Sequence, residues 1–453
     1  MTKGVNVRVI ILEALQEILE NGQMSHQVLS GVLDKYQYLE KQERAFLSRS
    51  VEGVMEYLLT LDYILDSFSK TPVRKMKPFI RNLLRMSLYH LFYMDSVPER
   101  AIVSEAVKLA EKKGFHGLKG FVNGLLRNII RNREAISWPE EEIRRMEVQY
   151  SIPAWILEEW LSVYEKEEVE QLLQGFHEER PLNVRVNAAK ITSEACKERL
   201  EAEGIAVKVH PYLSDCLEIS GYDYLGKLAS FREGLFQVQD VSSMLAGHLA
   251  VSYLKNNPEE LVLDLCSAPG GKALYVAEHC PKVQIVARDI SDNKLALIEE
   301  NKKRSGVDNL KTEVFDATKP DEGKKEAADV VLADLPCSGL GILGKKRDIA
   351  YKTGSEDVES LAGLQREILA RAAEYVKPDG ILIYSTCTIT RAENLDNRKW
   401  FLDTFDFENE NIYSIFSGAL QEKTMEEGYL QLLPGKHRSD GFFISVMKKK
   451  GSV

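Results

Sequence analysis

The sequence predicts a multidomain chain: an all-α helical bundle, a small α+β middle region, then an α/β unit built on a doubly wound parallel sheet. Three observations predict it. The 453 residues exceed what one ordinary core serves. Apolar residues recur at the 3.6-residue helical period across residues 5–135. From Gln239 onward short apolar runs alternate with helical stretches in β-α-β-α order.

In the first part, Val7-Ile10-Ile11-Ala14-Leu15-Ile18-Leu19 marks one apolar stripe, and Phe46-Leu47-Val51-Val54-Met55-Leu58-Leu59 another. Leu83-Leu84-Met86-Leu88-Leu91-Phe92, Ile102-Ala106-Leu109 and Phe121-Val122-Leu125-Leu126-Ile129 continue the pattern. Breaks at Asn21-Gly22, Thr71-Pro72, Val97-Pro98 and Gly114–Gly117 suit a helical bundle. Trp138-Pro139 and the acidic run after it read as a linker, which sets a first domain at 1–140. A connecting region at 141–235 mixes a helix past Trp160, a strand at Leu182–Asn187, a helix from Ile191 to Gly204 and short strands near Val207 and Leu217. Arg185 and Asn187 in it are candidates to hold a polyanion against the next domain. In the third domain, 236–453, strands are expected at Leu261–Leu265, Val283–Ala287, Leu310–Phe315, Asp329–Ala333 and Gly380–Tyr384. Helices are expected at Asp292–Arg304 and Val358–Val376, and a late strand at Asp440–Val446.

Composition narrows the class. No apolar run approaches the roughly 20 residues of a membrane span. The opening Met1-Thr-Lys-Gly-Val5 has neither the apolar core nor the cleavage site of a leader, so a cytoplasmic protein is expected. Six cysteines without a Cys-x-x-Cys pair, and eight histidines without ligand spacing, point to free thiols and no metal. Net charge is −10, yet between Lys70 and Arg133 there are 14 Lys/Arg against 4 Asp/Glu. A basic stretch in an acidic chain suits phosphate backbone, although a solvated helical face would look the same.

Chemistry concentrates at strand ends, beyond which parallel sheets bind ligands. Cys266, Cys337 and Cys387 each follow a predicted strand. The loop Cys266-Ser267-Ala268-Pro269-Gly270-Gly271-Lys272 leads from a strand into a helix, where glycines admit a close ligand and the helix start favours anionic groups. Asp289, 18 residues after Gly271, and Asp316 end the next two strands. Such carboxylates suit ribose hydroxyls or a cationic ligand such as the sulfonium of S-adenosylmethionine. The Gly-x-Gly-x-x-Gly of dinucleotide enzymes is absent from this loop. At the other end Asp334-Leu-Pro-Cys337 and Thr386-Cys387, 50 residues apart by cysteine, are expected on neighbouring strands. Methylating cytosine C5 requires a thiolate added at C6, a partner for N3 and an acceptor for the C5 proton. Asp334, Cys337 and Cys387 can divide those roles. An exocyclic-amine methyltransferase would instead carry an Asn/Asp-Pro-Pro-Tyr/Phe motif.

These motifs resemble those of the NOL1/NOP2/Sun RNA (cytosine-C5)-methyltransferases, from about Tyr150 to Met447, with Pro434 and Asp440-Gly-Phe-Phe443 similar to the family's closing motif. Leu335 and Ser267 stand where many relatives carry Ala, and neither change removes a functional group. The helical part resembles the NusB-like RNA-binding fold. The resemblance implies a class I, Rossmann-like methyltransferase domain with S-adenosyl-L-methionine as cofactor. Its donor would be held by residues 266–272 with Asp289, Asp316 and Asp334. It further implies Cys387 as nucleophile, Cys337 assisting proton removal or release, Asp334 on the base and Lys272 organising donor and base. DNA cytosine-C5 enzymes use the cysteine of Pro-Cys, here Cys337, so the choice of nucleophile stays open. The implied partner is 16S rRNA, at the cytosine usually numbered 967, before the small subunit is fully assembled, with no obligate protein partner. A tRNA or other RNA substrate, or a non-catalytic assembly factor, are the alternatives.

Overall fold

Four of the five apolar stripes read in the first part each wind into one helix in the computed structural model, which describes residues 6–416 and 418–451; the fifth, over residues 46–59, is divided between two helices at Tyr57. Residues 1–5, 417 and 452–453, the expected leaderless start among them, lie outside the described residues. The chain divides into two units. One runs to Tyr164 and takes back Lys345–Lys352; the other comprises Glu165–Gly344 and the chain from Thr353 on.

The first unit is helical: α1 (Val7–Leu19), α2 (Ser25–Lys35), α3 (Lys41–Glu56), α4 (Leu58–Phe68), α5 (Pro78–Tyr93), α6 (Glu99–Lys112), α7 (Lys119–Asn132), α8 (Glu142–Tyr150) and α9 (Ala154–Leu161). The centre is α5, buried on every side from Asn82 to His90, as a helix surrounded by others must be. Its polar groups are paired. Arg85 grips both oxygens of Asp62 at 2.7 and 2.6 Å, and His90 meets Ser50 Oγ at 2.9 Å. Burial pushes the His90 pKa down to about 3, so the ring is neutral. Helix α3 crosses α5 closely because Gly53 leaves room for the Tyr89 ring; a Cβ there would lie 1.9 Å from it. The segment Lys345–Lys352 is bolted into this unit. Ser25 donates its amide and hydroxyl to Asp348 at 2.9 and 2.5 Å, and the Tyr351 hydroxyl reaches the Met55 carbonyl at 3.0 Å.

The second unit opens with α10 (Lys166–His177), β1 (Leu182–Val186), α11 (Ser193–Ala202), β2 (Ala206–Val209), β3 (Cys216–Ser220), α12 (Ala229–Arg232) and β4 (Phe236–Val238). The four strands form an antiparallel sheet in the order β2-β3-β1-β4. Here one expectation fails. Arg185 and Asn187 face inward, 0% and 2% exposed, and cannot hold an external polyanion. Strand alternation set which residues share a face but not which face the rest of the fold would cover. Arg185 is paired with the equally buried Glu278 at 2.8 Å, and Asn187 donates to the carbonyls of Gly234 and Ser305.

The remainder is α13 (Val241–Ser252), β5 (Leu261–Asp264), α14 (Gly271–His279), β6 (Gln284–Asp289), α15 (Asp292–Ser305), β7 (Leu310–Val314), β8 (Ala328–Asp334), α16 (Ile349–Lys352, within the segment given to the helical unit), α17 (Ser355–Tyr375), β9 (Val376–Thr386), α18 (Asn397–Thr404), β10 (Phe407–Asn409), β11 (Tyr429–Leu432) and β12 (Phe442–Lys449). The sheet order is β10-β12-β9-β8-β5-β6-β7, with β11 on β12. The five strands from β5 to β9 pair in parallel as expected. The late strand β12 runs antiparallel to β9, so the whole sheet is mixed. It follows β11 through a short connection, which an antiparallel pair allows and a parallel pair does not. Since β6 and β8 flank β5 on opposite sides, the strand order reverses there, and the carboxyl ends of β5 and β8 frame the crevice where doubly wound sheets bind ligands.

Candidate active site

Strand β5 is an apolar run closed by Asp264, and its loop reaches α14 through Gly270, whose φ of 96° suits glycine. The Ala268–Pro269 bond is cis. A cavity opens against this loop, walled by Cys266, Ser267, Ala268, Pro269, Gly271, Lys272 and Asp334, all foreseen from sequence. Asp264, Ser243 and Gln237–Gln239 complete the wall and were not foreseen. Asp264 was legible as the carboxylate closing the first apolar strand. Gly270 shapes the loop behind the wall. Asp289, at the end of β6, braces it by accepting Ala268 N at 3.0 Å, Ile290 N at 2.8 Å and Lys294 Nζ at 3.0 Å. Asp316 lies two residues beyond β7, outside the cavity lining, where it accepts the amide and hydroxyl of Thr318 at 3.0 and 2.7 Å. That hydroxyl, then the amide, holds its carboxyl below the usual range.

The wall is built to receive polar groups. Asp264 is 1% exposed, and neither its Oδ1 nor Ser267 Oγ makes a well-formed hydrogen bond, although the Ser267 hydroxyl lies near enough to the carboxyl to offset part of its burial cost. Burial pushes its pKa up to about 7. Buried polar atoms without partners are rare and call for a ligand or water. Burial also pushes the Cys266 thiol up, so it is a neutral wall residue.

The loop is held from behind by Arg185. Its Nη1 donates to the Gly271 carbonyl at 2.5 Å and to Gln239 Oε1, while Nε and Nη2 bind Glu278 at 3.1 and 2.8 Å. Lys272 then projects its Nζ to Asp334 Oδ2 at 2.5 Å and Ser243 Oγ at 3.0 Å. The other Asp334 oxygen accepts Ser385 Oγ at 2.8 Å, which the β8–β9 register places opposite.

Beyond those strand ends the two thiols converge, with Cys337 Sγ 3.3 Å from Cys387 Sγ. Both residues are half-buried. Hydrogen bonding to Cys387, then burial, pushes the Cys337 pKa well above the ordinary thiol value, so Cys337 carries its proton. The loops approach through glycines: Gly341 N donates to the Cys387 carbonyl at 3.0 Å, and a Cβ on Gly341 would lie 2.1 Å from the Gly441 carbonyl oxygen. The site thus joins a polar cavity, a lysine–carboxylate pair and two thiols along one sheet edge. Among the described residues no cluster of three His, Cys, Asp or Glu could hold a metal, and no helix is long and apolar enough to cross a membrane.

Comparisons with known proteins cover nearly the whole chain. Residues 251–448 match the family model for 16S rRNA methyltransferase RsmB/F, residues 5–131 that of the NusB family, and residues 152–222 the ferredoxin-like domain of RsmF/B-like methyltransferases. A probable ribosomal RNA small subunit methyltransferase B of Bacillus subtilis (strain 168) is 35% identical over 459 residues, spanning 99% of this chain and 100% of the relative. A ribosomal RNA small subunit methyltransferase B of Vibrio cholerae is 30% identical over 98% of each chain. The crystal structure of PH0851 superposes with a TM-score of 0.81 at 26% identity, covering 98% of this chain and 99% of its own. That of NSun6 from Pyrococcus horikoshii with SFG covers 66% and 99%, with a TM-score of 0.58 at 25% identity.

Proposed function

The chain belongs to the ribosomal RNA small subunit methyltransferase B family, and on that premise we propose that it methylates C5 of one cytosine in 16S rRNA through a covalent bond from Cys387 to C6. The observation that carries this reading is the pair of thiols 3.3 Å apart beside the Lys272–Asp334 pair. The chemistry of the cavity wall suits an S-adenosylmethionine-type donor. Asp264 Oδ1 and Ser267 Oγ, neither in a well-formed hydrogen bond, suit its polar groups, the carboxylates of Asp264 and Asp334 suit its positive charge, and the start of α14 suits its carboxylate. When bound, the donor supplies an electrophilic methyl group.

The protein's own groups do the rest. Asp334 accepts or donates a hydrogen bond at the base N3, steadied by Lys272 and Ser385. The Cys387 thiolate adds at C6, which makes C5 nucleophilic. After methylation C5 loses its proton and the Cys387–C6 bond breaks, restoring the ring. Cys337 assists that last stage as a relay: its thiol proton goes to the departing Cys387 sulfur, and the Cys337 sulfur takes up the proton that leaves C5.

In this reading residues 1–140 bind RNA, 141–235 connect, and 236–453 carry out the transfer in the cytoplasm before the small subunit is complete. The groove between α6 and α7, about 1000 Å³, is edged by Arg100, Lys108, Lys119, Arg127 and Arg131 against Glu99 and Glu111, and that excess of cations suits an RNA backbone. The target base must be unpaired or flipped out to meet Cys387.

Trapping tests the reading. Protein, S-adenosylmethionine and a small-subunit rRNA fragment carrying 5-fluorocytidine at the target are run on a denaturing gel. Fluorine blocks the loss of the C5 proton, so the protein stays attached. An adduct that survives Cys337→Ala and vanishes in Cys387→Ala is expected. The reverse pattern moves the nucleophile to Cys337. No adduct despite RNA binding leaves the assembly-factor and other-substrate readings in its place.

A further inference from the structure

The catalytic cysteines sit on two loops, and loops do not hold a sub-ångström geometry by themselves. Behind them lies Glu393, 0% exposed, in a π-helical turn over Ala392–Asp396. Such turns are rare and collect at functional sites. Four donors converge on its carboxylate. Ser338 N at 2.8 Å and Gln365 Nε2 at 3.0 Å reach Oε1; Ser338 Oγ at 2.6 Å and Thr390 Oγ1 at 2.8 Å reach Oε2. Ser338 directly follows Cys337, and Gln365 also donates to the carbonyl of Pro336, the residue before it, at 2.9 Å.

The neighbouring side chain grips the other loop. Asn394 Oδ1 accepts Thr386 Oγ1 at 2.6 Å, and its Nδ2 donates to the Thr388 carbonyl at 3.1 Å. These are the residues on either side of Cys387. Ser338 Oγ and Thr388 Oγ1, 2.8 Å apart, close the ring between the two grips. A buried carboxylate is costly unless its hydrogen bonds are made, and here four are. Packing alone would be served by an apolar side chain at that position.

We propose that Glu393 and Asn394 form a clamp that sets the Cys337–Cys387 separation, with Glu393 a positioning residue that holds the Cys337 loop through Ser338 and Gln365 and Asn394 one that holds the Cys387 loop through Thr386 and Thr388. The clamp rests on the cysteine chemistry proposed above for its meaning in turnover, but its effect on the thiols exists without RNA. The charge of Glu393 is one of the causes that raise the Cys337 pKa, after the Cys387 thiol and burial. Glu393→Gln keeps the side-chain size, removes the charge and turns one acceptor oxygen into an NH2 group, so that two of the four donors lose their partner and the loop grip loosens. Asn394→Ala removes the grip beside Cys387 and leaves Glu393 in place.

The full-length protein is alkylated with iodoacetamide across a pH series, without RNA, and each cysteine is followed by peptide mass spectrometry. In Glu393→Gln the Cys337 profile is expected to move to lower pH by about one unit, so that Cys337 reacts about tenfold faster below its midpoint. Binding of S-adenosylhomocysteine is expected to stay within about twofold of wild type, while single-turnover methylation falls about 10²-fold from misplaced thiols. Identical Cys337 profiles in wild type and Glu393→Gln overturn the proposal. So does a loss of donor binding in step with a lowered melting temperature, because the carboxylate is then only part of the scaffold. Wild-type protein that forms no fluorocytidine adduct counts against the cysteine mechanism instead, and the alkylation comparison still decides the clamp.

Discussion

Two buried carboxylates stand near the same sheet edge, one just after β9 and one at the end of β5, and are treated in opposite ways. Glu393, behind the thiols, receives four hydrogen bonds and has nothing left to offer. Asp264, at the donor cavity, is equally buried but has only the nearby Ser267 hydroxyl to meet it, with no well-formed hydrogen bond to its Oδ1. A satisfied buried network fixes geometry; an unsatisfied one stores a desolvation cost that a ligand can relieve. The thiol end is therefore finished before substrate arrives, and the donor end is completed by what binds there. Arg185 belongs with the finished groups, since it joins Glu278 and the Gly271 carbonyl with no solvent access. The α6–α7 groove belongs with the open ones.

The largest expected effect is at the finished end. Cys387→Ser should lower single-turnover methylation by about 10³-fold or more, because a hydroxyl is a far weaker nucleophile than a thiolate, while donor titration changes little. Near-normal turnover would break the comparison at its centre. Next, Arg185→Ala leaves Glu278 buried without its cation and should cost about 3–5 kcal/mol in urea unfolding. A loss under about 1 kcal/mol would mean the pair is not a finished network in the sense used for Glu393.

Asp264 sharpens the other side. Its folded pKa of about 7 stands above an unfolded value of about 3.9, so both states are protonated at the acid end. As pH rises from about 4 to about 7 the unfolded chain gives up a proton that the folded chain keeps, and stability falls across that window, then levels. Asp264→Asn should remove that contribution, seen in urea midpoints taken at about pH 5 and about pH 8. A cationic donor favours the ionised carboxylate, so wild-type donor affinity should rise with pH up to about 7, and Asp264→Asn should weaken binding about tenfold above it. A flat affinity profile in the wild type would leave Asp264 without a ligand role. The smallest effect belongs to the groove. Arg127→Ala should reduce the salt slope of RNA affinity by about one and leave donor affinity alone.

Much of the site could be read from residue order. Strands end where apolar runs meet polar residues, so residue order alone assigns the donor loop, Asp289, Asp334 and both thiol loops to one edge. It assigns Asp316 there too, and Asp316 sits two residues past its strand and away from the cavity wall. Glu393 was illegible because nothing local distinguishes it. It lies in a polar run after Cys387, and its four donors come from Ser338, Gln365 and Thr390, two of them distant in sequence. Arg185 and Asn187 misled for the same reason, since a charged residue on a short strand looks exposed until its partner Glu278 appears 93 residues later.

By itself, then, the order of residues determined the parallel strand succession, the glycine turn at Gly270 and the chemical identity of the groups at the sheet edge, all of which follow from periodicity and backbone freedom within a few residues. Only the tertiary structure decided that Cys337 and Cys387 meet at 3.3 Å, that Asp264 Oδ1 is left without a well-formed hydrogen bond while Glu393 is saturated, and that Arg185 turns inward. Those outcomes depend on which distant groups share a buried space. Burial makes an unmet hydrogen bond or charge expensive, so partners are chosen across the whole fold and not along the chain.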